Sequence, residues 1–514
     1  MTVVQQGQVN TTSLTVPDVV VQIVPPQQNY VNGIATNILG LVGTATWGPV
    51  NAPTIIGDIK SYVAQFGAIM PRKYDMGTAA WVAILNGASN LRCVRVTDGT
   101  DTAATATIGT TGLTVTSKYT GSLGNGIAAI LAPGTASASW RLTITLPGLV
   151  PEVFDNVAVG LTGNAVWQAL ATAVNNGISG LRGPSQIVVA SAGASTAAPV
   201  AATAALAGGS DGASAVGATQ LIGIDGTARS GMYALRATGT AIAMLADCDA
   251  ASSWPGQVAY GLSEGTYMVM VTPAGDTITS AVAAKASAGI DSYAGKLLFG
   301  DWVYFNDTVN AQTRLISPQG FVAGLLSALS PAQSALNKPL AGIVATQKSN
   351  ANAVYSTADL QALATGGLDI IANPCPGGSY YGERIGRNCS SNQVINGDNY
   401  PRLTNYIAYT LNAAMGLYIG RLQSPSLRNQ ALGTINAFLS AMWQQGMIGD
   451  VSNPTRQPFS VQLDAANNPP ARVALGYMQV DVRVTYLSVV TVLLINVEGG
   501  QSVSVTVAGS TATN

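Results

Sequence analysis

Histidine is absent from all 514 residues. Its absence removes Ser-His and Cys-His nucleophile activation and every histidine-ligated metal site. Charge is almost as scarce. Charged residues make up 9% of the chain, against roughly 25% in an ordinary soluble domain. Lys and Arg number 23 and Asp and Glu 24, for a net charge of −1. A neutral chain has no basic face to displace counterions from phosphates, so nucleic acid is excluded as a partner. Four cysteines, Cys93, Cys248, Cys375 and Cys389, show no CxxC spacing. Without histidine they complete no zinc site, and so few thiols suit a reducing cytoplasm; the spacing leaves a Cys375–Cys389 disulfide open. No DxDxDG run for calcium and no GxxxxGK[ST] phosphate loop occurs, and the expectation is no metal and no cofactor.

Long apolar runs are missing too. The longest, 486–497 (YLSVVTVLLINV), has twelve residues. That is short of the ~20 needed to span a bilayer, and its β-branched content predicts a buried strand. Residues 1–10 are polar and lack the basic-then-apolar layout of a signal peptide. Assembly in the cytosol without membrane insertion is the expectation.

What is present is a large apolar fraction, 47%, enough to bury a core and to exclude disorder. The seven lysines end at Lys348, whereas arginine continues through Arg384, Arg387, Arg402, Arg421, Arg428, Arg456, Arg472 and Arg483. Protein interfaces deplete lysine and enrich arginine. Two readings follow: compositional drift, or a C-terminal third covered by partner chains.

Along the chain, Val19, Val20, Val21, Gln22, Ile23 and Val24 form a short strand stopped by Pro25-Pro26. No hairpin partner lies nearby, so it must pair at a distance or with another chain. From 33 to 96 strands alternate with helices: strands at 38–42 and 91–96, helices at 58–67 and 76–86. This predicts an α/β sheet. Residues 101–210 are rich in Ala, Thr, Gly and Ser, carry little charge, and alternate as half-buried strands at 113–116 and 141–146. Turn signals at Asp98-Gly99 and Gly208-Gly209-Ser210-Asp211-Gly212 bracket them as an insertion. The α/β rhythm then returns, with a strand at 267–271, a helix at 278–288, a strand at 302–305 and a helix at 318–329. Later, 402–415 reads as a helix, and a second runs from the Ser424-Pro425 start signal to Gly446. Val480, Val482, Val484 and Tyr486 alternate with polar residues as a strand with one wet face. Near the end, Val503, Ser504, Val505, Thr506 and Val507 form another lone strand, for which an edge pairing within the chain is the alternative to pairing with a neighbour.

Gly261-Leu262-Ser263-Glu264-Gly265 fits the G-x-S-x-G pattern, but that motif requires a strand before the serine and a histidine base. Here the strand follows and no histidine exists, so catalysis at Ser263 is not expected.

The order of these segments resembles contractile-tail sheath proteins of bacteriophages. The likeness rests on residues 16–67, including Gly48-Pro49-Val50-Asn51-Ala52-Pro53 and Phe66-Gly67, and on Asn86-Gly87-Ala88 leading to Cys93-Val94-Arg95-Val96. It continues through Gly121–Gly126, Gly208–Gly212, Tyr418-Ile419-Gly420-Arg421 and the following helix with Trp443-Gln444-Gln445-Gly446. The match is collinear over most of the chain and weakest in 130–205. Family members often end soon after the apolar strand, whereas this chain adds 501–514.

The resemblance implies an α/β and α+β multidomain chain: an N-terminal extended arm at 1–25, a middle α/β domain at 26–100 and 211–365, an inserted β-rich outer domain at 101–210, an inner α/β C-terminal domain at 366–498 and a C-terminal strand arm at 499–514. It implies a non-enzymatic subunit of stacked hexameric rings around a tail tube protein, with baseplate and tail terminator proteins as further partners, located in a virion tail. The arms at 19–24 and 503–507 would add to sheets of neighbouring subunits, and contraction would move nearly rigid subunits. Arg384, Arg387, Arg421 and Arg428 are candidates for facing an acidic tube, with intrachain salt bridges or subunit contacts as the alternative. A genome-free, tailocin-like particle or another self-assembling shell protein is the alternative function.

Overall fold

The computed structural model describes residues 3–4, 21–22, 31, 33–180, 182–495 and 497. Its centre is a six-stranded sheet in the order Gly295–Leu298, Tyr267–Val271, Ile242–Leu245, Ile38–Gly43, Asn90–Arg95, Thr54–Ile56. All neighbours run parallel except Thr54–Ile56, which is antiparallel to Asn90–Arg95. Both faces are covered, and the strand sequences show it. Leu39, Leu41, Ile242, Met244, Tyr267 and Val269 enter one core, with the helices Met76–Leu85 and Gln319–Ala328. The residues between them, Val42, Ala243, Leu245, Met268 and Met270, enter a second core, with the helices Trp254–Glu264, Ile278–Ser287 and Thr357–Gly366. A strand buried on both faces reads as a continuous apolar run, which is why YMVMV at 267–271 carries no polar alternation.

The helix ends follow local chemistry. Asp58 caps Ile59–Phe66 by accepting from Ser61 N at 2.7 Å, and Ser424 caps Pro425–Gln444 by accepting from Leu427 N at 3.1 Å. Gly67, at φ +82°, ends the first of these in a conformation that strains any residue with a Cβ.

Residues 105–205 form two antiparallel sheets, of four strands and three strands. They enclose a core with Leu113, Val115, Ile144, Phe154, Trp167 and Leu170. The segment is not purely β: the helix Asn164–Asn176 supplies Trp167, Leu170 and Val174 to that core. Beyond 366, the helices Asn399–Met415 and Pro425–Gln444 pack through Leu403, Ile407, Ile435 and Phe438. They pack against the antiparallel pair Phe459–Gln462 and Asp481–Val484. Val480, Val482, Val484 and Tyr486 line this cluster, as their alternation predicts.

Two expectations are corrected. Residues 486–497 are not a buried strand: the strand stops at Val484, and Val490, Val492, Leu493, Leu494, Ile495 and Val497 are 70–88% exposed. The run has strand-forming side chains but no ladder partner among the described residues, and unpaired backbone does not make a strand. The Cys375–Cys389 disulfide does not form; all four cysteines are free and buried.

Candidate functional site

Chemistry at the serine motif fails on geometry. Ser263 lies in the last turn of Trp254–Glu264, and its hydroxyl donates to the Tyr260 carbonyl at 3.0 Å, an ordinary back-bond along the helix. Burial pushes the Cys389 thiol up to about 11 and Cys93 higher still, so neither is a thiolate nucleophile. Among the described residues no group of His, Cys, Asp or Glu could hold a metal ion, and no helix is long and apolar enough to cross a membrane.

Four of the motifs singled out in the sequence, at Gly48, Arg95, Gly121–Gly126 and Gly208–Gly212, converge instead on one junction, where the inserted segment meets the central sheet. Arg95 is fully buried. Its guanidinium donates to the carbonyls of Gly48 at 2.8 Å, Thr120 at 2.6 Å and Asp211 at 3.1 Å. One side chain thereby ties the Gly48 turn to the loop at Thr120 inside the insertion and to the insertion's end at Asp211. Asp211 is held in turn by Arg72 at 2.7 Å and by the Ser122 N–H at 2.7 Å. Burial raises its carboxyl, but the Ser122 and Arg72 bonds outweigh that, and the net shift is downward. The two ends of the insertion lie side by side: Asp98 N donates to Gly212 O at 2.7 Å, and Thr102 exchanges both backbone bonds with Ser210. The glycines are required by contact. A Cβ on Gly121 would sit 2.1 Å from Thr46 O, and one on Gly209 would sit 2.4 Å from Gly121 O.

The exposed apolar tail lies over two grooves. One, of about 850 Å³, runs between the helix Asn399–Met415 and residues 482–491, with Arg387 on its wall. The other, of about 740 Å³, is bounded by Leu336, Lys338, Arg384, Val490 and Leu493. A third apolar surface lies at the turn between the two long helices, where Leu417, Ile419 and Leu422 project outward around Arg421.

The sequence-predicted interface residues fall in different places. Val21 and Gln22 form a two-residue strand, parallel to Val3–Val4 of the same chain. Val19, Val20, Ile23, Val24, Val503, Ser504, Val505, Thr506 and Val507 lie outside the described residues. Arg384 donates to Pro374 O at 2.7 Å and Arg428 to Gln423 Oε1 at 2.5 Å. Arg421 is exposed. None of Arg384, Arg387, Arg421 and Arg428 pairs with a carboxylate among the described residues. They sit in two pairs on separate elements, one beside the strand Gly382–Glu383 and one flanking the start of Pro425–Gln444. Sequence reading missed the buried charges Arg95, Lys296 and Arg402 as a class, since nothing local distinguishes them from surface cations.

No family model matches the chain, and no curated protein matches it either. Solved structures do. A sheath tail protein from Desulfitobacterium hafniense is similar over 86% of this chain and 93% of its own, at 15% identity and TM-score 0.56. A sheath tail protein from Listeria innocua is similar over 85% of this chain and 90% of its own, at 14% identity and TM-score 0.59. The sheath of an extracellular contractile injection system, PVC, in its contracted state, is similar over 95% of this chain and 98% of its own, at 11% identity and TM-score 0.55. The chain has the fold of contractile tail sheath proteins.

Proposed function

We propose that the chain is the structural subunit of a contractile sheath: it stacks as hexameric rings around a tail tube and drives the tube outward by rigid-body rearrangement, without catalysis. The observation that carries this reading is the segment 490–495, where Val490, Val492, Leu493, Leu494 and Ile495 are exposed in the single chain, whereas the central sheet buries its apolar faces on both sides. Such a surface marks an interface, and a strand without a partner is completed by another chain's backbone. The arms at 19–24 and 503–507 act in the same way. The fold likeness to sheath proteins supports the reading over nearly the whole length.

In this account 26–100 with 211–365 forms the middle domain, 101–210 the outer one and 366–498 the inner one. The junction at Arg95 makes the insertion move with the sheet. Arg384, Arg387, Arg421 and Arg428, unpaired with carboxylates among the described residues, are available to an acidic tube. Baseplate and terminator proteins bound the ends of the assembly in a virion tail put together in the host cytoplasm. A genome-free injection particle is the second reading, favoured by the likeness to the PVC sheath.

The experiment is electron microscopy of the chain co-expressed with its tube protein. Sleeves around the tube are expected. Bare tubes beside soluble monomer would refute the proposal.

A further inference from the structure

The central sheet ends in a strand, Gly295–Leu298, that carries a lysine with no access to water. Lys296 is fully buried and so are the three carboxyl groups around its Nζ: Asp369 at 3.0 Å, Asp398 at 3.3 Å and Glu383 in direct contact. One ammonium facing three carboxylates in a dry site leaves surplus negative charge that cannot all be ionised, and burial favours the neutral amine and the neutral acid.

The three carboxyl groups are not equivalent. Asp369 accepts four backbone N–H bonds, from Ile370, Ile385, Gly386 and Arg387. Four donors occupy both of its oxygens and fix it in place. Oε1 of Glu383 lies against Lys296 Nζ without hydrogen-bond geometry, and Oε2 has no partner. It is the carboxyl that keeps a proton, and a neutral carboxylic acid is the electrophilic form. Asp398 precedes the helix Asn399–Met415 but does not cap it. One oxygen accepts from Ala335 N and Lys296, and the other has no partner. The hydroxyl of Tyr267, also fully buried, lacks a partner too. Unsatisfied buried polar atoms are rare and need an explanation; three in one cluster, Glu383 Oε2, Asp398 Oδ1 and the Tyr267 hydroxyl, are what an ordinary ion pair leaves unexplained.

We propose that Lys296 and Glu383 form an intramolecular isopeptide bond, made by the chain on itself. Asp398 takes a proton from the Lys296 ammonium, leaving a neutral amine. The amine attacks Cδ of Glu383 and forms the C–N bond. The second amine proton passes by way of Asp398 to the departing hydroxyl, the C–O bond breaks, and one water leaves. Asp398 ends protonated, so charge is conserved and nothing is oxidised or reduced. A lysine desolvated among apolar neighbours is a competent nucleophile, and Asp398 touches the atom it must deprotonate. The bond ties the edge of the central sheet to the strand Gly382–Glu383 and closes the chain from 296 to 383 into a loop. This inference does not depend on the sheath reading.

Intact-mass spectrometry of the purified, denatured full-length chain, followed by tryptic mapping, tests it. The expected mass is one water below that of the sequence, with the peptides carrying Lys296 and Glu383 recovered joined and no cleavage after Lys296. Lys296→Arg is expected at its full sequence mass. Glu383→Gln is expected to lose ammonia instead of water, because the same acyl carbon then breaks its C–N bond to the side-chain nitrogen, which leaves as ammonia. The full sequence mass for the wild type would overturn the proposal, as would a water lost within one linear peptide or a Lys296 joined to Asp369 or Asp398. The wild-type measurement stands even where a variant fails to fold.

Discussion

At the scale of single residues, several of the few charges of this chain lie buried inside it. Arg95 holds three carbonyls at the junction, and Arg402 donates to the carbonyls of Leu326, Leu329 and Gln333 from within the core. Removing such a donor strands buried acceptors. Arg95→Met is expected to destabilise the protein by about 3 kcal/mol, read as a lowered urea midpoint, with faster hydrogen exchange at 98–102 and 208–212. Asp75 is a second buried charge. It is 1% exposed, and burial pushes its carboxyl up to about 6 despite hydrogen bonds from Thr78 and the nearby charge of Arg72. A carboxyl whose folded value lies above its unfolded one adds stability at low pH and loses it as pH rises through the folded value. The window here is about pH 4 to 6, and the loss is about 3 kcal/mol for a two-unit shift. Relative to Asp75→Asn, the wild type is expected to lose stability across that window and to run parallel above it; parallel curves throughout would contradict the assignment. None of these roles was legible in the sequence, because burial of a charge is decided by partners far along the chain. The scarcity of charge was legible, and it is what makes each buried one conspicuous.

At the scale of elements, periodicity located the strands 267–271 and 38–43 and the helices after Asp58, Asp75 and Ser424 nearly to the residue, since each has a cap or a clean apolar pattern. It missed Trp254–Glu264, whose Pro255, Gly256 and Gly261 lower intrinsic helix propensity; tertiary packing of Trp254, Val258 and Tyr260 supplies what propensity lacks. It missed Asn164–Asn176 for lack of a side-chain cap. That helix anchors the inserted sheets: Trp167 is buried among them and donates to Ala197 O at 3.1 Å. Trp167→Ala is expected to cost about 3–5 kcal/mol, with exchange raised over 105–205 and unchanged in the central sheet. It misjudged 486–497 because β-branched content measures fitness for a sheet, not the presence of one. Replacing Val490, Leu493 and Leu494 by serine is expected to leave subunit stability within about 0.5 kcal/mol, as for other exposed positions, while abolishing assembly.

At the scale of the whole molecule, two layers of reading meet. Four of the motifs that the sequence offered as a resemblance, at Gly48, Arg95, Gly121–Gly126 and Gly208–Gly212, meet in one physical object, the junction between insertion and sheet, and the contacts there demand those residues. The surfaces that would bind neighbours were less legible, because main-chain pairing tolerates bland sequence. Deleting residues 1–24 is expected to leave a folded subunit that forms no sleeves, checked by circular dichroism and sedimentation. The most direct test of the central claim is negative-stain imaging of the purified full-length chain. The account predicts tubes or rings of stacked six-fold layers. A monodisperse monomer with both termini paired within its own fold would contradict it.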